Sequence, residues 1–205
     1  VYGSAKIVPI SEDHPITGQS PYSASKIAAD HMALAYVKSF HVPVTIIRPF
    51  NTYGPRQSSR AVIPTIITQI LKNEKVQLGS LNPTRDFTYV DDTISGMMSA
   101  INNKKSIGEI INIGSGHEIS IAKLYQIISK LKKKKLKLVK SKSRIRPKQS
   151  EVMRLKASIK KANKILKWKP KYKNLDGLKK GLIKTIEWFE NKENLKRYKA
   201  DIYNY

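Results

Sequence analysis

The 205-residue sequence has no cysteine, which excludes disulfide scaffolds, thiolate nucleophiles and thiolate metal sites. Acidic residues are scarce: 15 Asp and Glu stand against 39 Lys and Arg, for a formal charge of +24. No apolar run is long enough to cross a bilayer, so no membrane partner is expected and the chain reads as a soluble, cytoplasmic protein. The four histidines lie apart and show no metal-ligand spacing. No internal repeat, signal segment or transit segment is visible. The opening Val1-Tyr2-Gly3 reads like the end of a strand, so the chain is expected to be the C-terminal portion of a longer protein.

The basic excess invites a nucleic-acid reading. The densest stretch, Lys130 to Lys142, has no aromatic residues between its lysines, as a surface that stacks single-stranded bases would need. No helix-turn-helix, zinc-finger or RNP pattern accompanies it. The run is read as a solvated face, and nucleic acid is not an expected partner. With 40% hydrophobic residues, the chain can still bury a core for one domain or two small ones.

Apolar periodicity predicts alternating helices and strands, hence an α/β architecture. Ser20-Pro21 predicts a cap and first turn for a helix reaching about His41. The β-branched run Pro43 to Arg48 predicts a buried parallel strand. A loop from Asn51 to Ser59 precedes a helix over Ala61 to Glu74. Val76 to Leu78 predicts a short strand, and Arg85 to Val90 leads into a helix near Asp91 to Asn103. Glu109 to Ile113 predicts another buried strand, ending at Gly114-Ser115-Gly116. Ser120 caps a helix carrying Ile121, Leu124, Ile127, Ile128 and Leu131 on one face. Residues 136–140 predict a lysine-guarded edge strand, and helices follow near 158–167 and 175–195.

The sharpest chemical signal is Tyr22-Ser23-Ala24-Ser25-Lys26. On a helix, residues at i and i+4 share a face, so the Lys26 ammonium can sit near the Tyr22 phenol. A nearby positive charge favours phenolate, which suits removal of a hydroxyl proton while hydride leaves the same carbon. The spacing alone also fits an ordinary surface pair. Around it stand, in order, Val1-Tyr2-Gly3, Ser20-Pro21-Tyr22 with Lys26, and Arg48-Pro49-Phe50-Asn51-Thr52-Tyr53-Gly54-Pro55. Then come Arg85-Asp86-Phe87-Thr88-Tyr89-Val90-Asp91-Asp92 and Asn112-Ile113-Gly114-Ser115-Gly116.

This series resembles the extended short-chain dehydrogenase/reductase family, the NAD-dependent epimerases and dehydratases of nucleotide sugars. The segment from Asn51 to Pro64 looks most like the 4,6-dehydratases, which are lyases, with the UDP-N-acetylglucosamine type of legionaminic acid pathways as the nearest group. The resemblance implies the C-terminal part of a Rossmann-like doubly wound parallel sheet plus a small α/β substrate-binding subdomain. Residues 1–75 would complete the NAD-binding domain. Residues 76–205 would mainly bind the sugar nucleotide, with Asp86 to Asn103 and Glu109 to Gly114 returning to the main sheet.

The same resemblance implies roles. Tyr22 would be the catalytic base, and Lys26 its partner and a ribose ligand. Pro49, Phe50 and Asn51 would line the nicotinamide side, with Asn51 also touching substrate. Val76 and Leu78 would border the nucleotide base, Arg85 would hold the diphosphate, and Asn112 would lie beside it. Arg146 and Glu151 would grip phosphate and ribose, with Arg144 as an alternative to Arg146. Ala61 departs from dehydratases that place lysine there, and Arg60 is the candidate substitute. The family's Gly-x-x-Gly-x-x-Gly fingerprint does not occur in this sequence, and it and the dehydratase acid and base are expected before Val1. The implied cofactor is NAD and the implied partner a UDP- or GDP-linked sugar. The whole enzyme would oxidise C4, lose water across C5 and C6 and return hydride to C6; the chain alone would be inactive. A homodimer through the helix after Ser20 is the expected assembly. A 4-epimerase and a non-catalytic basic binding module are the rival readings.

Overall fold

A computed structural model describes residues 1–145 and 147–198. Its first elements are α1 (Pro21–Phe40), β1 (Ile46–Pro49), β2 (Asn51–Tyr53), α2 (Val62–Lys72) and β3 (Lys75–Leu78). Next come β4 (Thr84–Tyr89), α3 (Val90–Ile101), β5 (Ile110–Ile113), β6 (Glu118–Ser120) and α4 (Ile121–Leu131). The last are β7 (Lys137–Lys140), α5 (Lys160–Leu166), α6 (Asn174–Glu190) and α7 (Lys192–Lys196). Among the described residues no helix is long and apolar enough to cross a membrane.

The α1 start follows from its sequence. Ser20 Oγ accepts the Ser23 N–H, and Ser23 Oγ accepts the Ser20 N–H, so two donors that helix geometry leaves orphaned are satisfied reciprocally. Pro21 sits where its missing N–H costs nothing. The helix stops at His41, which adopts a left-handed φ of 53°. None of its residues is buried.

β1 and β2 form one extended stretch that changes neighbours at Phe50. β1 runs parallel to β5, with Arg48 opposite Asn112. The Phe50 N–H still reaches Ile113 O at 2.8 Å, and beyond it β2 runs parallel to β4. β4 pairs antiparallel with β6 on its other side, and β3 pairs in parallel with β7. The expected loop from Asn51 is therefore strand for its first three residues. Tyr53 explains the difference: it is buried, and its hydroxyl donates to Leu178 O at 3.1 Å. β6 is too short for alternation to reveal. The expected single helix over 175–195 is broken at Asn191, whose side chain accepts the N–H groups of Glu193 and Asn194 and so caps α7. Val1-Tyr2-Gly3, expected as a strand end, has no regular structure.

The main core gathers one face each of α2, α4 and α6 against the strands. Ile63, Ile66, Ile67 and Ile70 recur at helical spacing on α2, and Leu178, Leu182, Ile186 and Phe189 on α6. Burying each contributes about 1.5–3 kcal/mol. A second cluster seats Ile111 and Ile113 of β5 against Ala162, Leu166 and Trp168.

Two acids hold distant loops to this frame. Asp86 is fully buried and accepts the N–H groups of Ser115 (2.8 Å), Gly116 (2.9 Å) and Ala157 (3.0 Å), with the Ser115 hydroxyl at 2.6 Å. Gly114 lacks a side chain for a reason visible here, since a Cβ would run into that of Ala157. Gly116 turns through a left-handed φ of 72°. Asp92 likewise accepts the N–H groups of Lys171 and Tyr172, both at 2.8 Å. Burial pushes both carboxyls up from the usual range, while the donated bonds pull them down.

Asp86→Ala should therefore destabilise the fold by at least about 3 kcal/mol, because each buried donor left without a partner costs about 1–3 kcal/mol. Urea denaturation followed by circular dichroism measures it. A loss below about 1 kcal/mol would show that the turn and the 157 segment do not depend on this carboxylate.

Candidate active site

Tyr22 and Lys26 occupy the first turns of α1 at the mouth of a cavity of about 550 Å³. The Lys26 ammonium lies 5.5 Å from the Tyr22 ring centroid, and the ring is 73% exposed. Pro49, Phe50 and Asn51 line the same cavity, as do Val1-Tyr2-Gly3, Asp30 and Arg48. Phe50 is buried against the Tyr2 ring. The strand end thus supplies an apolar wall and α1 supplies a phenol and an ammonium.

A second cavity, of about 420 Å³, lies beyond Asn51, which belongs to both walls along with Val152 and Leu155. Its lining includes Arg60, Arg85, Arg144 and Glu151, three arginines to one acidic residue among the described lining residues. Arg85 donates to Glu151 Oε1 at 3.0 Å and to its neighbour Thr84 O at 2.8 Å, and both ion-pair partners are largely buried. A guanidinium fork held this way keeps one rigid geometry for phosphate oxygens. Leu78, Gly79, Pro83 and Ile121 add apolar surface. Gly79 lets the backbone approach, because a Cβ there would collide with the Arg144 carbonyl.

Two expected site residues are not on these walls. Val76 is fully buried in the main core: it shares the inward face of β3 with Leu78 but lies deeper. Asn112 is fully buried as well, and its polar groups are already engaged. Its Oδ1 accepts the Tyr2 hydroxyl at 2.7 Å, its Nδ2 donates to Ile10 O at 3.1 Å, and its N–H donates to Glu12 Oε1 at 2.8 Å. A buried amide so committed has little left for a ligand. Arg146 lies outside the described residues, whereas Arg144 is on the wall.

Sequence reasoning passed over Arg48, Asp30 and Tyr2. Arg48 Nε donates to Asp30 Oδ2 at 2.8 Å, and its Nη1 donates to the Tyr2 hydroxyl at 2.9 Å. Burial pushes the Tyr2 phenol up, and Arg48 and Asn112 oppose that shift. Only the place of Arg48 opposite Asn112 on adjacent strands could have hinted at this, and strand pairing is not written in one sequence. Among the described residues no cluster of His, Asp or Glu could hold a metal ion.

The family model described as GDP-mannose 4,6 dehydratase matches residues 1–181. The chain belongs to the extended short-chain dehydrogenase/reductase family of NAD-dependent epimerases and dehydratases. It is 39% identical over 132 residues to the dTDP-D-glucose 4,6-dehydratase of Dictyostelium discoideum, covering 58% of this chain and 30% of that protein. Its fold is similar to UDP-glucuronic acid 4-epimerase from Bacillus cereus, solved with UDP-glucuronic acid and NAD. There the TM-score is 0.83 at 33% identity, over 93% of this chain and 58% of that one. It is equally similar to dTDP-glucose 4,6-dehydratase from Bacillus anthracis, solved with NAD, where the TM-score is 0.82 at 31% identity, over 94% and 60% of the two chains. The chain thus spans about three-fifths of the length of the solved structures it matches.

The arginine-lined cavity should bind inorganic pyrophosphate in a salt-sensitive way. Arg85→Gln should weaken that binding about tenfold, as loss of a charged hydrogen bond does. Glu151→Gln should weaken it less than that, since the amide oxygen can still accept from Arg85 while a repelling charge is gone. Titration calorimetry separates these outcomes, and equal affinity for wild type and Arg85→Gln would place the anion elsewhere.

Proposed function

We propose that this chain supplies the proton-handling pair and the sugar-nucleotide cavity of an NAD-dependent nucleotide-sugar 4,6-dehydratase. The observation that carries the reading is the shared wall at Asn51. It sets a cavity lined by Tyr22 and Lys26 beside one lined by Arg60, Arg85 and Arg144. A sugar diphosphate is the kind of molecule that can present a hydroxyl to the first and phosphates to the second. Residues 1–75 together with β5 would form the cofactor side, and most of 76–198 the nucleotide side.

The lining of the larger cavity fits the nicotinamide-ribose end of NAD, with Pro49 and Phe50 as the flat apolar contact and Lys26 as a donor to ribose hydroxyls. When bound, NAD supplies the hydride acceptor and donor for the sugar carbons. Tyr22 takes the proton from the sugar C4 hydroxyl, with Lys26 one helical turn away on the same face. Arg85, positioned by Glu151, holds the diphosphate, with Arg60 and Arg144 adding positive charge around it. Binding energy from that remote end orients the reacting carbon at Tyr22.

The dehydratase reading rests on the likeness of the Asn51 to Pro64 segment to that group. A 4-epimerase is the second reading, favoured by the fact that epimerase and dehydratase structures match with nearly equal TM-scores. The two differ in product, so proton NMR of the full-length protein's product from UDP-, dTDP- and GDP-linked hexoses separates them. A 4-keto-6-deoxy sugar is the expected result, while inversion at C4 with C6 oxygen retained would establish the epimerase instead. In the same assay Tyr22→Phe should lower kcat about 10²- to 10⁴-fold with little change in KM, the loss typical of a missing acid–base group. A variant with unchanged kcat would remove Tyr22 from the chemistry.

A further inference from the structure

α1 carries the Tyr22–Lys26 pair and runs beside β1. Among the described residues, one side-chain bond ties it to the sheet: the ion pair between Asp30 and Arg48 of β1, at 2.8 Å. Arg48 is 9% exposed and the Asp30 side chain 17%. Asp30 follows Lys26 by one helical turn and Tyr22 by two, so the three share a face, and all three line the same cavity.

Arg48 holds more than α1. Its other arm donates to the Tyr2 hydroxyl at 2.9 Å, and its guanidinium lies 4.9 Å from the Tyr2 ring centroid. Arginine has only donors, so the Tyr2 oxygen must accept from it and use its own proton on Asn112 Oδ1, 2.7 Å away. That fixes the Asn112 amide, whose nitrogen then serves Ile10 O, while the Asn112 N–H is taken by Glu12. A single buried cation therefore sets the distance between two cavity walls, Val1-Tyr2-Gly3 and α1, using β1 and β5 as the base.

Stability alone is a poor reason for such a pair. Removing two charges from water costs as much as their attraction returns, and an apolar pair of similar volume holds a fold as well or better. What the ion pair adds is one geometry, because a guanidinium fork accepts few others. We propose that Arg48 and Asp30 are positioning residues that set where Tyr22 and Lys26 stand over the cavity. The inference rests on the proposed acid–base role of Tyr22 and identifies what orients it.

The test uses the full-length protein labelled with 3-fluorotyrosine, with the Tyr22 resonance assigned by its loss in Tyr22→Phe. Asp30→Asn, Arg48→Gln and the apolar double variant Asp30→Leu/Arg48→Met are compared with wild type. The double variant is included because it leaves no unpaired buried charge and so should fold even where a single variant does not. Each should shift or broaden the Tyr22 fluorine signal and lower kcat per folded enzyme about 100-fold, as a misplacement of about 1 Å does. KM should stay within about twofold, since the diphosphate cavity is untouched. A double variant that folds and keeps both the wild-type Tyr22 signal and kcat overturns the inference. If the wild type turns over no nucleotide sugar, the proposed function fails by itself, and the fluorine signal still decides whether the ion pair orients Tyr22.

Discussion

The site depends on one strand that changes neighbours. Residues 46–53 run beside β5 until Phe50 and beside β4 after it. Where a parallel sheet divides in this way, the carboxyl ends of its strands open onto a crevice, and ligands collect there in α/β folds. Pro49, Phe50 and Asn51 are the residues at the division. Their position explains how one short segment can wall both cavities. The parallel pairing is what puts Asn112 opposite Arg48 and Phe87 opposite Asn51. The buried polar relay and the arginine-lined cavity are thus built from the same two registers.

The charge balance has a corresponding division. Lysines dominate a sequence with only 15 acids, and several of those acids are spent inside. Asp86 and Asp92 hold loops, Asp30 holds α1 and Glu151 holds Arg85. None of these contacts is an exposed ion pair of the kind that adds little to stability. Each carboxylate meets fixed donors at a junction between segments far apart in sequence, where a lost partner leaves a buried polar group unsatisfied. Asp86 and Asp92 each gather several donors at one point, whereas Asp30 and Glu151 each fix one arginine.

How much of this was legible in the sequence follows from which signals are local. The helix cap at Ser20, the i to i+4 pair at Tyr22 and Lys26, and the apolar stripe on α4 need only helix geometry, and the structure shows all three. Arg85 and Glu151 were placed by likeness to a family in separate roles, and the ion pair that joins them at 3.0 Å was not among the expectations. Asn112 and Val76 came from the same likeness and lie off the cavity walls, because a motif does not say which way a strand residue faces or how deep along its strand it lies. Asp86 and Asp92 were in plain view within the quoted motif, yet their roles depend on partners 29 to 80 residues away. Single-residue chemistry cannot identify those partners.

The two halves of the site are also held in different ways. The arginine-lined cavity rises from strands and loops pinned by buried carboxylates, so its shape is fixed by the same contacts that fix the core. The phenol and ammonium stand on α1, which the Asp30–Arg48 ion pair joins to β1. Anion binding tolerates small errors in position, because a net positive cavity attracts phosphate over several ångströms. Proton transfer does not, since a base acts only within hydrogen-bond reach. On the proposed function, that step relies on a directional, charge-assisted bond at Arg48, where an apolar contact could hold the helix but would leave its rotation and height free.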